Sequence, residues 1–402
     1  MRADVDVLVI GAGQAGLAVS HGLTQARIDH VVLEQGRSGR SWDGRWDSFR
    51  LVTPNHTILL PGGAYRGEDP DGYLTRTQIA DHLRAYAASF GAPLAEQTPV
   101  TSLRRDDDGF VAETPVGGIR ARRVVVCTGA YQREHRPAFL EQFERHVPVV
   151  GATDYRAPDR LPAGRVLVVG GGQSGCQIAE ELSSSGREVM LAASRAPALP
   201  RRVAGRDIVD WLIDLGFFTH RLADMPSPAV RVASNPLAVG SDDRHDLNLQ
   251  TLGAMGVQLL GHVLGTESGR VVAADDLAQS VQVGADAYRQ VCAGIARLCA
   301  EQGAAAPNLP DAPTSVPDAA EPPQLADLGV VVNACGYRPA YEWIEIPGIV
   351  DEMGFPVQEN GSAADQAGLW FVGVPWMRTR GSPLLLGVGE DANLVVDRLS
   401  AE

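Results

Sequence analysis

Two segments of this chain repeat one pattern: an aliphatic, β-branched run, a G-x-G-x-x-G turn, and a stretch of helical character. The first, VDVLVIGAGQAG, runs from Val5 to Gly16; the second, RVLVVGGGQSG, runs from Arg165 to Gly175. A strand that enters such a turn and leaves it as a helix opens a βαβ dinucleotide-binding unit. Two of them constrain the chain to an α/β class with two Rossmann-like domains. Gly11 and Gly170 permit the tight turn, Gly13 and Gly172 let a pyrophosphate approach the backbone, and Gly16 and Gly175 let helix and strand pack closely. Gln14 and Ala15, and in the second copy Gln173 and Ser174, fill the first helical turn, whose unpaired N–H groups face the anion.

The second strand of each unit assigns the ligands. HVVLEQG places Glu34 23 residues past Gly11, with Gln35 beside it. A carboxylate there accepts hydrogen bonds from a ribose diol and repels a 2′-phosphate, which reads as FAD. EVMLAASR places Ser194 and Arg195 at the matching point, Arg195 lying 25 residues past Gly170. A guanidinium there suits a 2′-phosphate, which reads as NADPH, with Arg201 and Arg202 as further candidates. NADH stays open if Arg195 is only a solvated surface residue.

At 402 residues the chain has room for two domains. No run approaches the ~20 apolar residues of a membrane span, and the early first strand argues against a signal peptide. A net charge of −14 argues against nucleic acid and anionic membrane as partners. All 35 basic residues are arginine, which excludes Schiff-base chemistry and a Walker-type phosphate site. Cys127, Cys176, Cys292, Cys299 and Cys335 are scattered, so a zinc site, a disulfide framework and a flavin-linked dithiol are not expected. Reduced thiols and a cytoplasmic location are the default. The nine histidines are dispersed, and no metal is expected.

Along the chain, the pattern predicts strand 5–10, helix 14–26, strand 30–34, a helix from Thr77, and a three-strand meander over 98–104, 109–114 and 119–127. Strand 165–169 and helix 173–185 open the second unit. A helix from Asp207, an amphipathic segment over about 275–302, and an Ala/Pro-rich connector follow. Strands in LGVVVNACGYRP and LWFVGVPWM, then a final helix, complete the chain. The simplest topology is insertion: an FAD domain over 1–158 and 327–402 encloses an NADPH domain over 159–326.

Beyond these units, SWDGRWDSFRL, VVVCTGAY, VLVVGGGQSGCQIAEEL, SRAPALPRR, ACGYRP and RGSPLLLGVGEDA together resemble the class B flavoprotein monooxygenases over nearly the whole length. They are most similar to the bacterial cation-transport-associated flavoproteins, related to YUCCA-type enzymes. The resemblance implies that Ser41, Trp42, Arg45 and Trp46 lie along FAD, although aromatic burial alone would also fit interdomain packing. It implies that Thr128 and Gly129 mark the crossing between domains, and that Gly336 and Tyr337 form the late cofactor element. Gly387, Gly389 and Glu390 would form the turn that meets the flavin ring. Asn55 is the one residue named for a catalytic peroxide contact, beside a plainer reading as a turn residue after Pro54.

The implied function is NADPH-dependent insertion of one oxygen atom from O₂ into a small organic substrate through a flavin C4a-hydroperoxide. Amines, sulfur compounds and keto acids are the implied substrates; a homodimer is left open. Two departures stand out: Gly151 occupies the place of the fingerprint histidine, and Cys335 replaces the threonine of ATGY. They keep open an NADPH oxidase or acceptor reductase, or a non-catalytic redox-sensing flavoprotein.

Overall fold

The computed structural model describes residues 4–233, 235–241 and 245–401. Two sheets carry the fold. In the first, the strand Asp4–Ile10 lies between His30–Leu33 and Ile119–Val126 and runs parallel to both. Leu94–Ala95 extends one edge, while Leu369–Phe371, Ser362–Ala363 and Gln358–Glu359 extend the other. The hairpin Ser102–Asp106/Gly109–Glu113 continues antiparallel into Ile119–Val126, completing the expected meander. The C-terminal halves of Asp4–Ile10 and Ile119–Val126 are aliphatic runs because both faces are covered there. Val7, Val9 and Val125 face the cluster of the helices Gln14–Gln25 and Val388–Ala401, and Leu8, Ile10, Val124 and Val126 face the opposite cluster.

The second sheet is wholly parallel, in the order Gln258–Leu260, Val189–Ala192, Arg165–Val169, Leu328–Asn333, Val149–Gly151. This differs from the expected boundaries. The strand at 328–333, expected to open the returning FAD domain at 327, pairs instead with Arg165–Val169; the strand at 149–151, expected before the boundary at 158, joins the same sheet.

The reason lies in the repeat itself. Ile119–Val126 flanks the first glycine strand, and Leu328–Asn333 flanks the second in the same way. A Cβ on Gly11 would meet the Cys127 carbonyl at 2.8 Å, and one on Gly170 would meet the Ala334 carbonyl at 2.3 Å. The matching strings VVVCTG and VVVNACG carried this signal in the sequence.

The helix Arg76–Ser89 starts one residue before its expected position, because Thr75 and Gln78 form a capping box. The amphipathic segment forms the 25-residue helix Leu277–Glu301. It packs on the helix Ile208–Asp214 through Tyr288, Val291, Cys292 and Ile295. The connector after it carries almost no regular structure, yet Gln250 donates to the carbonyls of Pro313 and Ser315. Among the described residues, no helix is long and apolar enough to cross a membrane.

Candidate functional site

The two glycine turns are built alike, atom for atom. Gly11 and Gly170 have φ of +103° and +119°, where a side chain is strained. A Cβ on Gly16 would stand 1.8 Å from the Gly11 carbonyl oxygen, and a Cβ on Gly175 would stand 1.8 Å from that of Gly170. A Cβ on Gly13 would meet nothing within 4 Å, so this glycine leaves open room beside the backbone. Helices Gln14–Gln25 and Gln173–Ser184 begin at Gly13 and Gly172 with no side-chain cap. Their first N–H groups are thus available to an anion.

Each helix start also clamps a loop across its mouth. Gln14 donates to the Pro383 carbonyl at 2.7 Å and accepts from the Trp42 indole at 3.0 Å. Gln173 donates to the Ala238 carbonyl and accepts from the Ala238 amide at 3.0 Å.

Glu34 follows the strand His30–Leu33, and Arg195 lies three residues past the strand Val189–Ala192. Glu34 is 9% exposed at the end of His30–Leu33; its carboxylate accepts from the amides of Ala12 at 2.8 Å and Gly36 at 2.9 Å. The carboxylate is thereby held against the glycine turn, and Gln35 beside it is exposed. Ser194 and Arg195 follow Val189–Ala192, both exposed. No acidic side chain pairs with Arg195 among the described residues, so its guanidinium is free to meet a phosphate. The residues present fit a diphosphate dinucleotide at each turn.

Four expected site residues are employed elsewhere. Arg201 is 1% exposed and pairs with Asp207; it also donates to the Tyr73 hydroxyl at 2.8 Å and the Val52 carbonyl at 2.9 Å. Asp207 in turn accepts from Tyr73 at 2.8 Å and caps the helix Ile208–Asp214. This buried network joins the two domains and withdraws Arg201 from the phosphate set. Arg202 donates to the Gly205 carbonyl within its own turn.

Trp46, expected along FAD, is 3% exposed and sits in the core of the second domain. It packs edge-on to Phe49 and lies 6.5 Å from Tyr155. Asn55, expected at a peroxide, is 1% exposed; its amide donates to the Asp69 carbonyl at 2.8 Å and accepts from the Leu74 amide at 2.7 Å. Both ends of the side chain hold the 55–74 loop, so the plainer turn reading describes it.

The remaining expected residues come from separate segments of the chain. Trp42 is half-buried at the mouth of the first turn, and Ser41 is exposed beside it. The Arg45 guanidinium lies 5.8 Å from the Phe49 ring centre and 5.9 Å from that of Tyr337; both its Nε and the Tyr337 hydroxyl are buried without a hydrogen bond. Gly129 and Gly336, with φ of +68° and +90°, close the two flanking strands at equivalent points. Thr128 accepts from Gln132 at 2.6 Å, and the Gly129 carbonyl accepts from Tyr341 at 2.7 Å. Gly387 packs on Gly381 and Gly389 on Pro61, which seats the N-terminus of Val388–Ala401; Glu390 is exposed on its first turn.

The two departures have structural partners. Gly151 ends its strand where a Cβ would stand 2.1 Å from a Glu134 carboxylate oxygen; Glu134 accepts from the Thr153 amide at 2.9 Å and hydroxyl at 2.7 Å. Glu134 therefore fills the space that a histidine at 151 would need. Burial pushes the Cys335 thiol up to about 11, and burial also raises Cys127. Both stay protonated near neutrality, and all five cysteines are free.

Comparison with known proteins agrees with this geometry. A family model described as pyridine nucleotide-disulphide oxidoreductase matches residues 8–206. An uncharacterized CzcO-like oxidoreductase of Geobacillus kaustophilus is 33% identical over 404 aligned positions, covering 99% of each chain. A probable indole-3-pyruvate monooxygenase of Arabidopsis thaliana, YUCCA3, is 30% identical over 215 residues, which is 50% of this chain and 48% of that one. Among solved structures, a flavin-containing monooxygenase from Stenotrophomonas maltophilia superposes with a TM-score of 0.70. It is 20% identical and covers 100% of this chain and 99% of that chain.

Proposed function

Because the chain belongs to the CzcO-like oxidoreductases, within the class B flavoprotein monooxygenases, we propose that it is an FAD- and NADPH-dependent monooxygenase acting on a small organic substrate. The observation that carries this reading is the matched pair of glycine cradles, one held against Glu34 and the other followed by the unpaired Arg195. FAD would rest on Gly11, Gly13, Gly16, Glu34 and Trp42, and NADPH on Gly170, Gly172, Gly175 and Arg195. When bound, the two supply a hydride and a flavin that activates O₂.

The chain's own residues bind, orient and exclude water. Trp42 and Pro383 are tied to the first helix start through Gln14, which walls the cleft. The N-terminus of Val388–Ala401 presents a positive dipole end to any negative charge that develops beside it. No pair of thiols stands ready for disulfide exchange, which favours transfer to oxygen over dithiol reduction.

Isotope tracing tests the proposal. With ¹⁸O₂ and NADPH, a substrate of this enzyme emerges with one labelled oxygen atom. Quantitative return of the reducing equivalents as H₂O₂ with every amine, sulfide and keto acid would overturn it. That outcome would favour an NADPH oxidase, the reading to which Glu134 in place of the fingerprint histidine lends support.

A further inference from the structure

The loop between Leu369–Phe371 and Val388–Ala401 carries an arginine for which the cofactor-binding residues have no use. Arg380 lies beside two aromatic rings from different parts of the chain. Its guanidinium carbon is 4.1 Å from the Phe217 ring centre and 4.7 Å from that of Trp376. Its backbone amide donates to the His220 carbonyl at 2.8 Å, and the adjacent Gly381 amide donates to the Phe218 carbonyl at 2.8 Å. The short 217–219 helix of the second domain is thereby latched to the loop of the first.

Three observations distinguish this arginine from the surface cations. Its Nε is buried with no hydrogen-bond partner, and among the described residues no carboxylate pairs with it. Burial lowers its affinity for the proton below the ordinary arginine value, which marks the poor solvation of the cation. Trp376, which supplies one of the two rings, has φ of +60°. A bulky residue in the left-handed region carries strain, and the surrounding structure maintains it here to hold that ring in place.

The contrast with its neighbour is informative. Arg378, two residues earlier, is satisfied by Asp391 at 2.9 Å. Among the described residues no side chain or carbonyl accepts from the Arg380 guanidinium, and an unpaired guanidinium fork matches a planar carboxylate. The loop borders the first cofactor cleft, because Pro383 is held by Gln14 at the helix start. Phe218 and Leu386 lie against Gly381 and make the adjoining surface apolar.

We propose that Arg380 anchors the carboxylate of the substrate, so that the molecule oxidised is an apolar organic acid. The identity of the ligand as the substrate rests on the monooxygenase reading, whereas the anchor itself is tested by binding alone.

The flavin-loaded protein is titrated with phenylacetate and with phenylacetamide while its visible flavin band is followed. The acid is expected to bind about tenfold or more tighter than the amide, the scale of one charge-assisted contact. Arg380→Met is expected to erase that preference and Arg380→Lys to keep part of it, with flavin content and NADP⁺ binding unchanged in both. Equal binding of acid and amide to the unaltered protein would overturn the proposal, and so would no saturable change with either. Loss of flavin or weakened NADP⁺ binding in Arg380→Lys would also overturn it, since the cation would then serve a cofactor. Failure of the monooxygenase reading has a different signature: unlabelled product from ¹⁸O₂ with the acid preference intact.

Discussion

Glu34 and Arg195 differ in charge, burial and partners, and the expected choice of dinucleotide at each turn rests on that difference. Glu34 is buried and doubly hydrogen-bonded, so its carboxylate is already oriented before a ribose arrives. Arg195 is exposed and unpaired, so its contribution is made only when a phosphate meets it. Replacing Arg195 with alanine is expected to raise the KM for NADPH by roughly ten- to a hundredfold, the scale of one charge-assisted contact. The KM for NADH should stay within about twofold. Steady-state kinetics with both coenzymes check this, and an equal change for the two would remove Arg195 from the site. Arg201 shows the limit of reading charge along the chain. It is six residues from Arg195, yet its charge is spent on Asp207 and Tyr73 inside the protein.

At the scale of elements, each binding unit is a strand, a glycine turn and a helix start that work as one piece. The helix lies close on its strand only because Gly16 and Gly175 lack a side chain, each facing a backbone carbonyl. Gly16→Ala is therefore expected to lower flavin retention by at least about tenfold, because the Cβ forces the turn open. Gly175→Ala should purify yellow yet show at least about a tenfold slower anaerobic reduction by NADPH. Absorbance spectra of the two variants check the pair. A colourless Gly175→Ala protein, or a normally reducible one, would contradict the assignment of separate roles. The flanking strands belong to the same pieces, since Cys127 and Ala334 supply the carbonyls that pack on the turns.

At the scale of the molecule, the two domains are held together by polar contacts as well as by packing. The Arg201–Asp207–Tyr73 network is buried, while a second link is open to solvent. His56, on the loop of the first domain, meets Asp210 on the helix Ile208–Asp214 at 2.8 Å. Burial alone would lower the His56 pKa, but the Asp210 carboxylate, the Pro70 carbonyl and the charge of Asp71 outweigh it and raise the pKa above 6.5. A raised folded-state pKa contributes stability that is fully present below 6.5 and is lost as the pH climbs through the folded value. His56→Gln should therefore be less stable than the parent at pH 6 and converge with it at mildly alkaline pH. Thermal melts across that window check the sign, and a deficit that widens with rising pH would refute it. The latch from Arg380 and Gly381 to residues 218–220 crosses the same junction.

Much of this architecture was legible in the residues because it rests on local rules. A glycine turn after a β-branched run needs only near neighbours, and the same holds for the Glu34 and Arg195 spacing. Partnership between distant segments followed no such rule. The strand at 328–333 carries an aliphatic pattern that fits either sheet, and only the likeness of VVVNACG to VVVCTG pointed to its place beside Arg165–Val169. Asn55, Trp46 and Arg201 look available in one dimension because burial is a property of what packs against them. Local chemistry is written along the chain; which side chains are withdrawn from solvent, and which are left to meet a ligand, is settled only when the two domains close on each other.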